Sequence, residues 1–299
     1  MICPFPPVNR ARQLCTLTFW CWIGLASGGC STLPGTQSAT VSDGHIEYVV
    51  RGHGQPTVVF ESGLGDGMEV WAKVLPDVST FATTFAYNRP GYGGSTRATT
   101  ARDGMHIVEE LRTVLKQVGL PPPYVLVGHS LGGTYQELFA RLHPTEVAGV
   151  VLVESRAESM TRRCRESKLL ACDPPKWLVA AMAGAASAEY ATSDTTFEQL
   201  HAAAAFPPVP LIVLTSTKLR LVEGPAWAKL WQVTQEELSK SSSRGEQRKT
   251  WISGHYIQKE QPRLVIDAVQ DVAKQWAPKR SSSIEVAPHA DPRLDVATQ

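Results

Sequence analysis

Tyr124-Val125-Leu126-Val127-Gly128-His129-Ser130-Leu131-Gly132-Gly133 is the stretch on which the fold turns. Its apolar first half has strand character, its centre is a Gly-x-Ser-x-Gly pattern, and a helical period follows through Tyr135, Leu138, Phe139 and Leu142. A serine on so sharp a strand-to-helix turn needs small neighbours, because a side chain at Gly128 or Gly132 collides with the flanking backbone. The turn lifts the Ser130 hydroxyl above the sheet edge and aims a helix N-terminus at any charge that develops beside it. The alternative, a glycine turn of purely structural use, lacks a reason for this strand–turn–helix setting.

Outward from that stretch, short apolar strands alternate with helical periods. Strand character covers His45 to Val50, Thr57 to Phe60, Thr83 to Tyr87, Val147 to Val153, Leu211 to Leu214 and Lys249 to Ile252. Helical periods run from Met105 to Leu115, from Trp227 to Ser239 and from Leu264 to Trp276. The expected fold class is α/β, a mostly parallel central sheet covered by helices on both faces. The segment between Ser155 and Pro208 is too long for a plain connection, and its alanine-rich part, Trp177 to Ala188, favours helix. A small helical cap over residues 155–208 is the expectation, against an ordinary crossover helix with loops.

The two ends read differently. Arg10 and Arg12, an apolar run from Leu14 to Ala26 and then Ser27-Gly28-Gly29-Cys30 have the order of a secretory signal over residues 1–29. The small residues before Cys30 are similar to a bacterial lipobox, with Ser27 where leucine is usual, so Cys30 is the candidate lipidation site. Residues 30–43 are polar and small, as in a tether, and residues 278–299 are polar, Pro-bearing and without period, as in a disordered tail. The chain is thus expected to be exported, as a periplasmic protein or a membrane-anchored lipoprotein of a bacterium. In an oxidising compartment Cys164 and Cys172, eight apart, read as a local disulfide. Lys+Arg 29 against Asp+Glu 28 provides no basic stripe for nucleic acid, and no Cys/His group has the spacing of a metal site.

Four motifs occur in a telling order: Glu61-Ser62-Gly63-Leu64-Gly65, Asn88-Arg89-Pro90-Gly91-Tyr92-Gly93-Gly94-Ser95, Gly128-His129-Ser130-Leu131-Gly132-Gly133 and Ser253-Gly254-His255. By these the chain resembles the α/β-hydrolase superfamily, in particular its single-domain bacterial serine esterase-like members, over about residues 44–277. The resemblance implies a serine hydrolase acting on small-molecule carboxylic esters, without a cofactor. Ser130 would be the nucleophile and His255 the base, following it in the order serine, acid, histidine. The backbone N–H groups of Leu64 and Leu131 would form the oxyanion hole.

The acid is less directly placed. Relatives often carry it after the strand that follows the cap, yet Leu214 is followed here by Thr215-Ser216-Thr217-Lys218. Glu154, at the end of the strand after the nucleophile helix, is the candidate; Glu223 is the alternative. The segment from Asn88 to Ser95 reads as structural, shaping the loop under the site. His129 is expected to point away from the nucleophile. An aminopeptidase or cofactor-free haloperoxidase of the same fold would use the same residues; the peptidase would add a cap acid for a free amine, with Glu158 or Glu189 as candidates. A catalytically silent surface-binding lipoprotein on this scaffold is the non-enzymatic alternative. Epoxide hydrolysis is disfavoured, because those relatives place aspartate where Ser130 stands.

Overall fold

A computed structural model describes residues 33–41, 44–169, 182, 184–218 and 224–276 of the chain. The expected signal, Cys30, Cys172, Glu223 and the tail lie outside the described residues. The sheet is built from β1 (Gln37–Val41), β2 (Gly44–Arg51), β3 (Thr57–Glu61), β4 (Thr83–Tyr87), β5 (Tyr124–His129), β6 (Val147–Val153), β7 (Leu211–Ser216) and β8 (Gly245–Thr250). They lie in the order β1-β2-β4-β3-β5-β6-β7-β8. β1 and β2 run antiparallel to their neighbours, and every pair from β4 to β8 is parallel.

The apolar runs are continuous because the central strands are covered twice. Along β5, Leu126 faces one core with Phe85, Leu138, Phe139 and Val213. Val125 and Val127 face the other, with Trp71, Leu75, Val265 and Val269. Every residue of β3, β5, β6 and β7 is buried. Burial of a residue of this size against both layers contributes roughly 1.5–3 kcal/mol each. One layer includes α2 (Gly104–Gln117), α3 (Leu131–Leu142) and α7 (Gly224–Ser239); the other includes α1 (Leu75–Val78), α8 (Ile257–Glu260) and α9 (Pro262–Gln275).

Both sheet edges differ from expectation. Residues 37–41, read as part of a tether, form β1, with Ala39 buried and Gln37, Ser38 and Thr40 exposed. The last strand is Gly245–Thr250 rather than Lys249 to Ile252; Trp251 and Ile252 lie beyond it and are exposed. An edge strand has one bonded neighbour and stays partly in water, so its residues are polar and no apolar run marks it.

Within the expected cap, α4 (Glu158–Glu166), α5 (Gly184–Ala191) and α6 (Ser193–Ala202) are helical. Cys164 is buried on α4, and its expected partner, Cys172, lies outside the described residues.

Parallel register decides where chemistry can occur. Glu61 pairs with Gly128, His129 with Val153, and Val153 with Leu214. The residues that leave these strands therefore emerge at one carboxyl edge, where open α/β sheets place their sites.

Candidate active site

Ser130 stands at φ +53°, ψ −122°, outside the regions an ordinary side chain prefers. Such a conformation costs on the order of 1–3 kcal/mol and persists only where the surroundings enforce it. They do so here. A Cβ on Gly128 would lie 2.5 Å from Gly133 Cα, and one on Gly132 would lie 2.3 Å from the Ser62 carbonyl oxygen. The Ser130 N–H donates to Val153 O at 3.1 Å, and Ser130 O accepts from Gly133 and Arg156 N–H at 3.0 and 3.2 Å. Ser130 opens α3, yet its hydroxyl makes no capping bond, so the Oγ is left for other chemistry.

His255 lies in the loop after β8, half-buried, with its Nδ1 3.4 Å from the Glu154 Oε2. Glu154 leaves β6 at φ +47° with its side chain 1% exposed. Its Oε1 accepts the Ser216 N–H at 2.6 Å and the Trp231 Nε1–H at 3.2 Å. These donors offset the cost of burying a carboxylate, and the open side of the group faces the imidazole. The 3.4 Å separation exceeds the usual bond length, and catalytic hydrogen bonds commonly tighten when substrate binds. Glu154 is brought to His255, and Glu223 lies outside the described residues.

The loop after β3 completes the edge. A Cβ on Gly63 would approach Ser130 Cβ to 3.3 Å, so this loop packs directly on the nucleophile turn. Leu64 lies in this loop and Leu131 is the first residue of the 12-residue α3, whose N-terminus carries the helix's positive end. Ile107, Tyr135 and Phe197 form a small apolar cluster that also holds Leu64 and Leu131, so α6 packs there through Phe197.

Several residues of the site escaped sequence reading. His129 is buried, and its ring lies 4.7 Å from His255 and 5.0 Å from Tyr256. A carbonyl can only accept, so His129 Nε2 carries a proton and donates it to His255 O at 3.0 Å. His129 thus holds the backbone of His255, a role the sequence reading did not give it. Its Nδ1 lies 3.7 Å from Asp66, whose carboxyl burial pushes up to about 6. Trp231 and Ser216 were missed as partners of the acid; nothing in the local pattern marks them. The segment from Asn88 to Ser95 is structural but more closely engaged than expected, since Arg89 bonds the Ser62 and Gly63 carbonyls at 2.7 and 2.9 Å.

The two cap acids considered for a free amine are otherwise engaged. Glu189 is fully buried against Arg89 and Tyr92, and Glu158 lies 3.5 Å from His201. His106 and His143 pair with Asp103 and Glu109.

The strand order, the strained turn at Ser130 and the Glu154–His255 pair at the carboxyl edge belong to an α/β protein of hydrolase-like architecture. Residues 56–278 match the α/β hydrolase fold family, and the chain belongs to it. It is 33% identical over 104 residues to the uncharacterized protein YqjL of Bacillus subtilis, a match covering 35% of this chain and 41% of the relative. It is 29% identical over 127 residues to the (lyso)-N-acylphosphatidylethanolamine lipase of Bos taurus, covering 41% and 36%. Less than half the length of these curated relatives is therefore spanned. Among solved structures, an esterase of Thermogutta terrifontis superposes with a TM-score of 0.55 at 18% identity, covering 80% of this chain and 98% of that one. That similarity extends to the fold alone.

Proposed function

We propose that the protein is a serine hydrolase that cleaves small-molecule carboxylic esters through an acyl-enzyme. Ser130 Oγ attacks the ester carbonyl carbon while His255 Nε2 takes its proton. The carbonyl oxygen becomes an oxyanion held by the Leu64 and Leu131 N–H groups. As the C–O bond to the alcohol breaks, His255 returns the proton to the departing oxygen. Water then adds to the acyl-serine by the same exchange and releases the acid. Glu154 keeps His255 in the tautomer with Nδ1 protonated and stabilises the imidazolium.

The observation that carries this reading is the buried Glu154 facing His255 at the strand edge that bears the Ser130 turn. The lipase among the relatives supports it as a likeness. Neither cap acid favours the aminopeptidase reading, since both have partners. Export, a lipid on Cys30 and the Cys164–Cys172 bond belong to the same proposal and rest on the sequence.

A fluorophosphonate probe and p-nitrophenyl esters of graded chain length test it. Labelling at Ser130, lost with hydrolysis in a folded Ser130→Ala variant, is the expected result. A folded protein that neither labels nor hydrolyses would be a silent binding protein on a hydrolase scaffold.

A further inference from the structure

Arg89 has every one of its N–H donors in use, deep below the site, with its side chain 1% exposed. Nη1 donates to Glu61 Oε1 at 2.6 Å and to Ser62 O at 2.7 Å. Nη2 donates to Gly63 O at 2.9 Å and to Glu189 Oε2 at 2.9 Å, and Nε donates to Glu189 Oε1 at 2.8 Å. The guanidinium is planar, so these acceptors are held in one fixed fork. The rings of Tyr92 and Tyr135 lie 4.9 and 5.5 Å from its carbon.

Tyr92 adds a second link to the same carboxylate. Its hydroxyl donates to Glu189 Oε2 at 3.0 Å and accepts the Gly65 N–H at 3.2 Å. Ser62 and Gly63 on one side of Leu64, and Gly65 on the other, are thus tied through Arg89 or Tyr92 to one cap residue. Within α5, Glu189 is the buried residue, so that helix is seated by a charged side chain rather than by an apolar face.

We infer that Glu189 is a positioning residue, a latch by which the cap holds the oxyanion loop in reactive shape. This rests on the serine-hydrolase reading of the site. Lifting α5 removes two acceptors from Arg89 and one from Tyr92, and the fork that aligns the Leu64 N–H loses its anchor. Cap closure over a bound ester and completion of the oxyanion hole then occur together, the logic of induced fit.

The test uses the full chain with Glu189→Gln, which keeps size and removes charge. Loss of an oxyanion donor costs roughly 10²–10³ in kcat, and a loosened donor less, so a fall of about tenfold to a hundredfold is expected with KM within about threefold. Hydrogen exchange of amides 62–67 should accelerate alongside. Tyr92→Phe should act in the same direction, and the double variant should lose less than the sum of the singles, because the three groups form one network. Arg165→Ala, which breaks the exposed pair with Asp194 on the cap, should leave loop exchange and kcat unchanged. Wild-type exchange at 62–67 in both variants, or strictly additive losses, overturns the latch. If Glu189→Gln does not fold, Tyr92→Phe and its loop exchange decide alone. A wild-type protein that fails to label overturns the hydrolase reading instead, while loop exchange still judges the latch.

Discussion

The backbone N–H of Ser216, at the end of β7, donates to Oε1 of Glu154, at the end of β6, at 2.6 Å. Ser216 ends the strand after which the resemblance would place the acid, and here its backbone supplies a donor to a carboxylate one strand away. The register makes this possible: Glu154 N–H donates to Leu214 O at 2.9 Å, so the two strand ends are bonded in both directions.

Glu154→Gln keeps the shape and removes the charge. It should lower kcat by about 10²–10⁴-fold, the range expected when a triad base loses its orienting carboxylate, with KM little changed. Glu223→Gln should leave turnover near wild type. Steady-state kinetics on one p-nitrophenyl ester checks both, and the reverse pattern would move the acid to position 223.

His129→Phe preserves a ring between His255 and Tyr256 but loses the donor to His255 O. One such bond is worth about 1 kcal/mol, and the stranded carbonyl adds to the loss, so kcat should fall about tenfold. His129→Gln, which can still donate, should recover part of it. Equal activity in His129→Phe and wild type would show that the base needs no support from this side.

Asp66 titrates near pH 6 in the folded protein, up from 3.8, mainly through burial and against the opposing charge of Lys259. The folded state therefore holds a proton that the unfolded chain releases between those values. Its stabilising effect is complete below pH 3.8 and is lost as pH rises towards 6. Asp66→Asn does not titrate, so its stability relative to wild type should improve by on the order of 2 kcal/mol between pH 4 and pH 7.5. Urea unfolding of both proteins at the two pH values measures this, and parallel pH dependences would refute it.

Cys164 and Cys172 should be bonded in exported protein and brace the start of the cap. Closing so short a loop contributes about 2–3 kcal/mol, felt mainly by the cap. Peptide mass spectrometry without reduction should find them linked; two free thiols would contradict it.

How much was legible in the sequence differs between the sheet's middle and its edges. β3, β5, β6 and β7 are buried on both faces, so each is an apolar run that announces itself, and the glycine-flanked Ser130 follows one of them. Ser130, His255, Leu64 and Leu131 could be named as candidates for that reason: each lies in a motif whose residues must be contiguous to make a turn. β1 and β8 are the two edges, polar on their wet sides, and there the pattern misled.

Contacts between distant segments were beyond any local pattern. That Glu154 meets His255 across 101 positions, that His129 supports the base's carbonyl, and that Arg89 reaches 100 positions to Glu189 depend on parallel register and on how the cap folds back. A side chain's chemistry is set locally, but the partner of a buried charge is set by whichever strand end or helix packing brings beside it. The sequence by itself determined the fold class and named the candidate reacting groups; tertiary packing alone chose the donors to Glu154 and the contacts of Arg89 with the loop after β3.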